Sequence, residues 1–204
     1  MYKRQTWGLL AIFSAVPFSE TIKLLELLPN VVTADCLALG LFVSHAWRWP
    51  IFRKWLVPFP DLNGTWQGTI QTTWVNPQTG ERPGPIPVAL VIRQSFVSVD
   101  CIMRTGEMTS QSYSADFVLD NSANLCKLVY SYRSNPRPTV AERSQPHEGT
   151  IVFEVVGDTP KKLKGEYWTA RKTTGEVVLT LKSRKHQDDI PAKLPPHPVS
   201  GAGQ

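Results

Sequence analysis

The sequence predicts an all-β domain that closes into an antiparallel up-and-down barrel of about eight strands, preceded by a helical hairpin. Two observations lead to this fold class. Residues 1–60 are apolar and helical in period, with basic and Trp residues at their ends, whereas the chain after position 61 alternates polar and apolar residues in short runs. Gly and Pro residues separate these runs, as expected for turns between strands. Eight strands enclose an interior that side chains fill or that holds one small ligand.

Two apolar runs predict a two-helix transmembrane hairpin at residues 6–28 and 31–49, which turns at Leu28-Pro29-Asn30. Basic residues precede the first run and follow the second, and the turn has none. The positive-inside rule therefore predicts a multi-pass protein whose two ends and strand-rich domain are cytoplasmic. The domain boundaries that follow are 1–56 for the hairpin, 57–184 for the barrel and 185–204 for a disordered Pro-rich tail.

Charged residues within the apolar runs leave two interpretations open. Glu20, Lys23 and Glu26 are spaced so that they could pair on one helix face, and Asp35 lies in the second run. Either the first helix ends near Phe18 and the remainder lies at the membrane interface, or these groups form contacts between copies in an oligomer.

Eight runs are predicted as strands. They are Gly64–Val75, Ile86–Gln94, Phe96–Arg104, Ser110–Leu119, Leu125–Arg133, Thr150–Val156, Leu163–Arg171 and Glu176–Ser183. The first begins with Gly64-x-Trp66, a typical start of lipocalin- and avidin-like barrels, in which the glycine permits the turn and the indole plugs the barrel end.

Alternation predicts which side chains lie together at one mouth. If Trp66 points inward, then Trp74 on the same strand does so too, and Tyr167, Thr169 and Arg171 share the inward face of the seventh strand. Tyr130, Tyr132 and Arg133 form a similar aromatic and basic cluster at the end of the fifth strand. Aromatic rings that stack on a base and arginines that bind phosphate favour a nucleotide-sized ligand. The candidate ligand-binding residues are therefore Arg171, Thr169, Tyr167, Trp74, Tyr132 and Arg133. Taken singly, each has a structural alternative, since rim arginines are usually solvated or paired.

Composition and motifs narrow the function classes. With 22 basic and 17 acidic residues the net charge is +5, too small and too dispersed to favour duplex nucleic acid. Three widely spaced cysteines argue against a disulfide framework or zinc knuckle. No phosphate-binding loop, nucleophile elbow or zinc-protease motif occurs. The sequence thus predicts a protein that is not an enzyme and needs no metal or cofactor.

The order of segments resembles a known family. Two helices of membrane character, a barrel opening with Asp61-Leu62-Asn63-Gly64-Thr65-Trp66 and the late segment 163–175 (LKGEYWTARKTTG) are similar to the two-transmembrane, SMODS-associated β-strand-rich effectors of bacterial CBASS antiphage systems. The resemblance implies that the barrel binds a cyclic dinucleotide made by a partner CD-NTase. It also implies that the protein resides in the bacterial inner membrane, forms a homo-oligomer when activated and disrupts membrane lipids in abortive infection.

Two alternatives remain open on the residues alone. One is a membrane-tethered, lipocalin-like carrier, which needs an open apolar interior for a lipid or other apolar ligand. The other is a barrel without a ligand that serves as an assembly module.

Overall fold

The computed structural model describes residues 18–53, 55–77, 79–120, 122, 125–142, 144–157, 159–187, 195 and 197–199, and for residues 18–28 the backbone alone. The chain divides into two compact units, Met1–Ala46 and Trp47–Gln204. The elements are α1 (Phe18–Ser44), β1 (Gly64–Thr72), β2 (Ile86–Gln94), β3 (Val99–Thr105), β4 (Met108–Asp120), β5 (Leu125–Pro136), β6 (His147–Val155), β7 (Lys162–Thr169) and β8 (Thr174–Ser183), with short 3-10 turns at Ala46–Arg48, Pro50–Phe52 and Pro138–Val140.

The predicted helical hairpin is wrong. In place of a turn at Leu28-Pro29-Asn30, one helix, α1, runs without interruption from Phe18 to Ser44 with Pro29 inside it. Proline removes one backbone hydrogen bond but does not by itself force the chain to reverse. The Thr33 hydroxyl donates to the Pro29 carbonyl at 2.7 Å within the next turn. Residues 6–17 of the predicted first helix lie outside the described residues, as do 188–194, 196 and 200–204 of the predicted tail.

The predicted membrane crossing is also overturned. Among the residues that the structure describes, no helix combines the length and the apolar character that a membrane span requires. Glu20, Lys23, Glu26 and Asp35 all fall within the 27 residues of α1, and charged groups at the centre of a span are costly. The multi-pass placement in the inner membrane, which depended on two such spans, is therefore wrong.

The strand-rich prediction is confirmed, because β1 to β8 form a closed barrel in chain order. Every neighbouring pair is antiparallel, and β8 closes the barrel by pairing with β1 from Thr65↔Ser183 to Thr72↔Gly175. A residue with a side chain would not fit at Gly68 on this seam, since a Cβ atom there would lie 1.9 Å from the Val178 carbonyl oxygen. The barrel thus closes on itself, and its shortest ladder joins Ile102–Arg104 of β3 to Thr109–Gln111 of β4.

The inward direction predicted for Trp66 and Tyr167 is correct, whereas Trp74 lies beyond the end of β1 and is exposed. Trp66 on β1, Leu163 on β7, and Val177 and Leu179 on β8 are fully buried in the core. The same core contains Leu90, Ile92, Leu128, Tyr130 and Phe153 from the other strands. Side chains therefore fill the barrel from the end where β1 begins, which we call the base, to its middle.

A network of amide side chains closes the base. The Asn63 side chain exchanges two hydrogen bonds with the Gln94 backbone, accepting from its N–H at 2.8 Å and donating to its carbonyl at 2.9 Å. The Gln94 side chain accepts from the Leu62 N–H at 2.8 Å and donates to the Pro60 carbonyl at 3.1 Å. The Trp66 indole N–H donates to the Leu62 carbonyl at 2.9 Å. These bonds hold the entering chain across the barrel end.

Replacing Gln94 with leucine is expected to lower the free energy of unfolding by about 2 kcal/mol, because the buried Leu62 N–H and Pro60 carbonyl lose their partner. Urea denaturation, monitored by circular dichroism, measures the loss of free energy of unfolding. Gln111→Leu, on the exposed face of β4, is the matched control and should change it by about 0.5 kcal/mol or less. Equal losses in the two variants would contradict the role of the network.

Candidate ligand-binding site

Polar and aromatic side chains gather at the end of the barrel opposite the base, which we call the rim. Here β5 and β7 end, and β6 and β8 begin. Register pairs Tyr132 with Gly149 and Ile151 with Tyr167, so both tyrosines lie on the inward face. His147 opens β6 on the same face, and Arg171 lies in the β7–β8 turn above it. We call these four residues, Tyr132, His147, Tyr167 and Arg171, the rim cluster.

Distances link the members of the rim cluster. The Arg171 Nη2 and His147 Nε2 atoms are 3.4 Å apart, and the His147 and Tyr132 rings meet edge to face with centroids 6.5 Å apart. The His147 Nδ1 atom lies 3.3 Å from the Gln145 carbonyl oxygen. Gly149 leaves the space for Tyr132, since a Cβ atom there would lie 2.6 Å from the tyrosine hydroxyl. The cluster therefore presents two aromatic rings and a guanidinium group beside an imidazole.

Burial and mutual charge shift the titration of these groups. Burial raises the pKa of Tyr132 well above its ordinary value, and the nearby Tyr167 raises it further. Burial also raises the pKa of Tyr167, while a hydrogen bond with Thr72 and the charge of Arg171 oppose this rise. Burial and then the charge of Arg171 lower the pKa of His147 below its ordinary 6.5. At neutral pH the tyrosines are thus uncharged donors, the histidine is neutral, and Arg171 supplies the positive charge.

The β7–β8 turn holds Arg171 in position. The Thr169 and Thr173 hydroxyl oxygens are 2.7 Å apart, and the Thr169 N–H donates to the Thr173 carbonyl at 2.9 Å. The Ala170 N–H donates to the Glu148 carbonyl at 2.9 Å, which ties the turn to the start of β6. Lys172 has a φ of 61°, in the left-handed region that a tight turn requires. Thr169, which is buried, therefore supports Arg171 from within the turn and not from the open mouth.

Two candidate residues from the sequence lie away from the rim cluster. Arg133 follows Tyr132 on β5 and so points outward, where its Nη2 atom donates to Glu148 Oε1 at 2.8 Å. Trp74 lies beyond the end of β1, and its backbone N–H donates to the Thr72 hydroxyl at 3.1 Å. The alternation that places Tyr132 inward places Arg133 outside, since neighbouring strand residues face opposite sides.

Sequence reasoning missed one member of the rim cluster, His147, whereas Tyr130 had been grouped with Tyr132 and Arg133 at the end of the fifth strand. His147 was overlooked because the sixth strand was predicted to begin at Thr150, although His147, Gly149 and Ile151 continue its inward period. Tyr130 lies one layer deeper, with its ring centroid 6.0 Å from that of Tyr132. In the part of the chain that the structure describes, its buried hydroxyl has no hydrogen-bond partner. A polar atom left unpaired below the rim cluster is available to a ligand that enters the mouth.

A C-terminal contact adds to the rim. The His197 Nδ1 atom lies 3.1 Å from Glu107 Oε1, beside the turn between β3 and β4. Gly106 provides the room, since a Cβ atom there would lie 3.1 Å from the His197 side chain. The chain near position 197 therefore packs against the same barrel end as the rim cluster.

Comparison with known proteins identifies relatives of this fold. A family model described as "Cap15, cyclic dinucleotide receptor domain" matches residues 57–181, which span the segment before β1 and nearly all of the barrel. The chain is also 31% identical over 155 residues to CD-NTase-associated protein 15 of Staphylococcus schleiferi, a match that covers 76% of this chain and 79% of that protein.

Proposed function

Because this chain belongs to the family of Cap15 cyclic dinucleotide receptor domains, we propose that its barrel binds a cyclic dinucleotide and that the protein is an effector of CBASS antiphage defence. The observation that carries the proposal is the family match over 57–181, which includes every member of the rim cluster. The ligand would come from a partner CD-NTase, as the name of the staphylococcal relative suggests. The protein acts as a receptor and not as an enzyme.

The rim cluster has the groups that such a ligand needs. A cyclic dinucleotide carries two phosphodiester charges and two flat bases. The guanidinium group of Arg171 is suited to a phosphodiester, and the rings of Tyr132 and Tyr167 are suited to contact with a base. The unpaired Tyr130 hydroxyl beneath them would gain a partner from a ligand group or a water that enters with it.

The packed interior argues against the lipocalin-like alternative. A carrier for an apolar ligand needs an open apolar lumen, but Trp66, Tyr130, Phe153 and Leu128 are buried against one another in the barrel core. The rim end is instead polar and cationic. This chemistry favours an anionic, aromatic ligand held near the mouth.

The output that we propose is self-assembly of the liganded protein, followed by disruption of the inner membrane and death of the infected cell. Support comes from apolar side chains left exposed on α1, among them Val31, Val32, Leu37, Leu39 and Leu41. Ligand-driven assembly requires that the assembled state bind the cyclic dinucleotide more tightly than the monomer does. Analytical ultracentrifugation with and without ligand tests assembly, and dye release from vesicles of bacterial lipid composition tests membrane damage.

The binding experiment is calorimetric titration of the full chain with a panel of cyclic dinucleotides, with linear dinucleotides and a fatty acid as comparisons. Saturable binding of one cyclic dinucleotide, with weaker binding of its linear form, is the expected result. Uptake of the fatty acid without any cyclic dinucleotide binding would favour the carrier instead. Binding of neither would leave the barrel as an assembly module.

Binding is expected to strengthen as the pH falls from about 7.5 to about 5.5. In the free protein, burial and Arg171 keep the pKa of His147 below its ordinary 6.5, so the imidazole is neutral at pH 7. A bound phosphodiester favours the imidazolium form, and binding therefore takes up a proton. Tyr132 and Tyr167, which also face His147, remain protonated in this range because their pKa values are raised.

Calorimetry at several pH values in buffers of different ionisation enthalpy measures this proton uptake. His147→Gln should bind with little dependence on pH, and a dependence equal to that of the unmodified chain would exclude His147 as its source.

The depressed pKa of His147 has a second consequence for the free protein. The free energy of unfolding does not depend on His147 above about pH 6.5, where the imidazole is neutral in both states. It decreases as the pH falls below that value, because the unfolded chain takes up the proton more readily than the folded one.

A further inference from the structure

A cavity lies at the base, at the opposite end of the barrel from the rim cluster. It has a volume of about 380 Å³ and is enclosed by the segment 47–61 and by the ends of the β4–β5 and β6–β7 hairpins. Phe59 anchors the segment, since its ring stacks on Phe117 with centroids 5.1 Å apart and an interplanar angle of 5°. We call this cavity the base pocket.

Two buried donors border the base pocket without a partner. Among the described residues, neither the Trp47 indole Nε1 atom nor the Arg48 Nε atom has a hydrogen-bond acceptor, although both atoms are excluded from solvent. Trp47 itself is 1% exposed. The Arg48 guanidinium lies over the Trp47 ring at 5.4 Å and donates from Nη2 to the Gln94 carbonyl at 3.3 Å, so its position is fixed. Unpaired buried donors of this kind are suited to an acceptor that carries negative charge.

The rest of the lining combines charge with apolar surface. Arg53 brings a second guanidinium group to the pocket, and Leu119, Leu125 and Val155 form an apolar wall. The two carboxylates of the lining, Asp61 and Asp120, accept hydrogen bonds from the Asn63 and Ser122 backbone N–H groups, and Asp61 also lies 3.7 Å from the Arg184 guanidinium. Cys126 belongs to that wall, and burial raises the pKa of its thiol to about 11, so it is uncharged at neutral pH. A ligand that satisfies both parts has an anionic head and an apolar body.

The surface around the base pocket indicates where such a ligand comes from. Trp49, Ile51 and Trp55 are more than half exposed and lie on the same segment as Arg48 and Arg53. The Trp49 and Phe52 rings stack at 6.3 Å, which makes the exposed surface continuous. Exposed indole and aliphatic groups interleaved with arginines are typical of proteins that contact the headgroup layer of an anionic membrane.

We propose that the base pocket binds the phosphate of an anionic phospholipid, with Arg48, Trp47 and Arg53 around the phosphate and the apolar wall against the upper acyl chain. The site differs from the rim cluster in position and residues. Lipid binding there needs no helix that spans the membrane, because the segment 47–61 contacts only the headgroup region. The pocket therefore gives the barrel a fixed orientation toward a lipid surface.

The test follows the indole N–H resonance of Trp47 in the ¹⁵N-labelled full chain, assigned by its loss in Trp47→Phe. Three probes separate the two parts of the ligand: dihexanoyl phosphatidylglycerol below its micellar concentration, dihexanoylglycerol, which lacks the phosphate, and inorganic phosphate. We expect phosphatidylglycerol to shift the Trp47 resonance saturably. Dihexanoylglycerol and inorganic phosphate should each bind at least about tenfold more weakly, since each lacks one part of the ligand.

Arg48→Gln should weaken phosphatidylglycerol binding by about tenfold or more, because a charge-assisted contact to phosphate is lost. Lys182→Gln, which removes an exposed cation from the outer face of β8, is the matched control and should bind normally. The proposal is overturned if Trp47 does not respond to phosphatidylglycerol, if inorganic phosphate binds as tightly, or if the two variants behave alike. Arg48→Gln should keep its affinity for cyclic dinucleotide, so failure of this proposal leaves the proposed function standing.

Discussion

Replacing Arg171 with alanine is expected to weaken cyclic dinucleotide binding by about ten- to hundred-fold. The change removes the guanidinium group, whose Nη2 atom lies 3.4 Å from His147 Nε2. The rim cluster then lacks the positive charge that Arg171 supplies at neutral pH. A hydrogen bond to a charged group contributes about 1.5–3 kcal/mol, which corresponds to this range of affinity. Calorimetric titration of the full chain measures the loss. The fold should persist, because Arg171 is an exposed turn residue.

Arg133→Ala is the control for this experiment. Both arginines lie near the rim, and sequence reasoning proposed both as ligand-binding residues. Arg133 instead pairs with Glu148 on the outer face of the barrel, with its side chain about two-thirds exposed. We expect it to bind cyclic dinucleotide with unchanged affinity, since an exposed ion pair contributes little. If the two variants lose affinity equally, the ligand does not enter the mouth and the rim cluster is not its site.

Replacing Trp66 with alanine is expected to lower the free energy of unfolding by about 3–5 kcal/mol. The indole is fully buried at the base, and its removal leaves a cavity that the closed barrel cannot collapse to fill. It also deprives the Leu62 carbonyl of the hydrogen bond that Trp66 donates at 2.9 Å. Urea denaturation, followed by far-ultraviolet circular dichroism because the substitution alters the fluorescence, measures the loss.

Trp168→Ala provides the matched comparison. Trp168 is on β7 next to the inward Tyr167, so it points outward and is 49% exposed. Its replacement should cost about 1 kcal/mol or less, since little buried surface is lost. A loss below about 1 kcal/mol for Trp66→Ala would mean that the indole does not plug the barrel end.

The strands could be predicted because each depends on a local pattern. The second strand was predicted at its observed bounds, Ile86–Gln94, where a run of apolar residues lies between a Pro/Gly-rich loop and Ser95. The others differ by a few residues, mainly where a strand extends into a turn, as β5 does to Pro136. Such ends depend on pairing with the neighbouring strand, which a single strand's period does not contain.

The helical region shows the opposite case. Pro29-Asn30 is a common turn signal, yet α1 continues through it. The apolar runs on each side suggested two membrane spans, but among the described residues no helix is long and apolar enough to cross a membrane. A local signal could not decide this, because a helix end depends on what the following residues contact.

The sequence by itself determined the closed eight-stranded barrel, the inward face of its strands, and the family to which the chain belongs. These three features follow from the alternation of polar and apolar residues and from the order of short motifs, which can be recognised in a sequence without knowledge of its tertiary contacts. Only the tertiary structure decided that His147 joins Tyr132 and Arg171 at the rim and that a cavity lies at the base. The reason is physical: each depends on register between strands distant in sequence, where a shift of one residue exchanges the two faces.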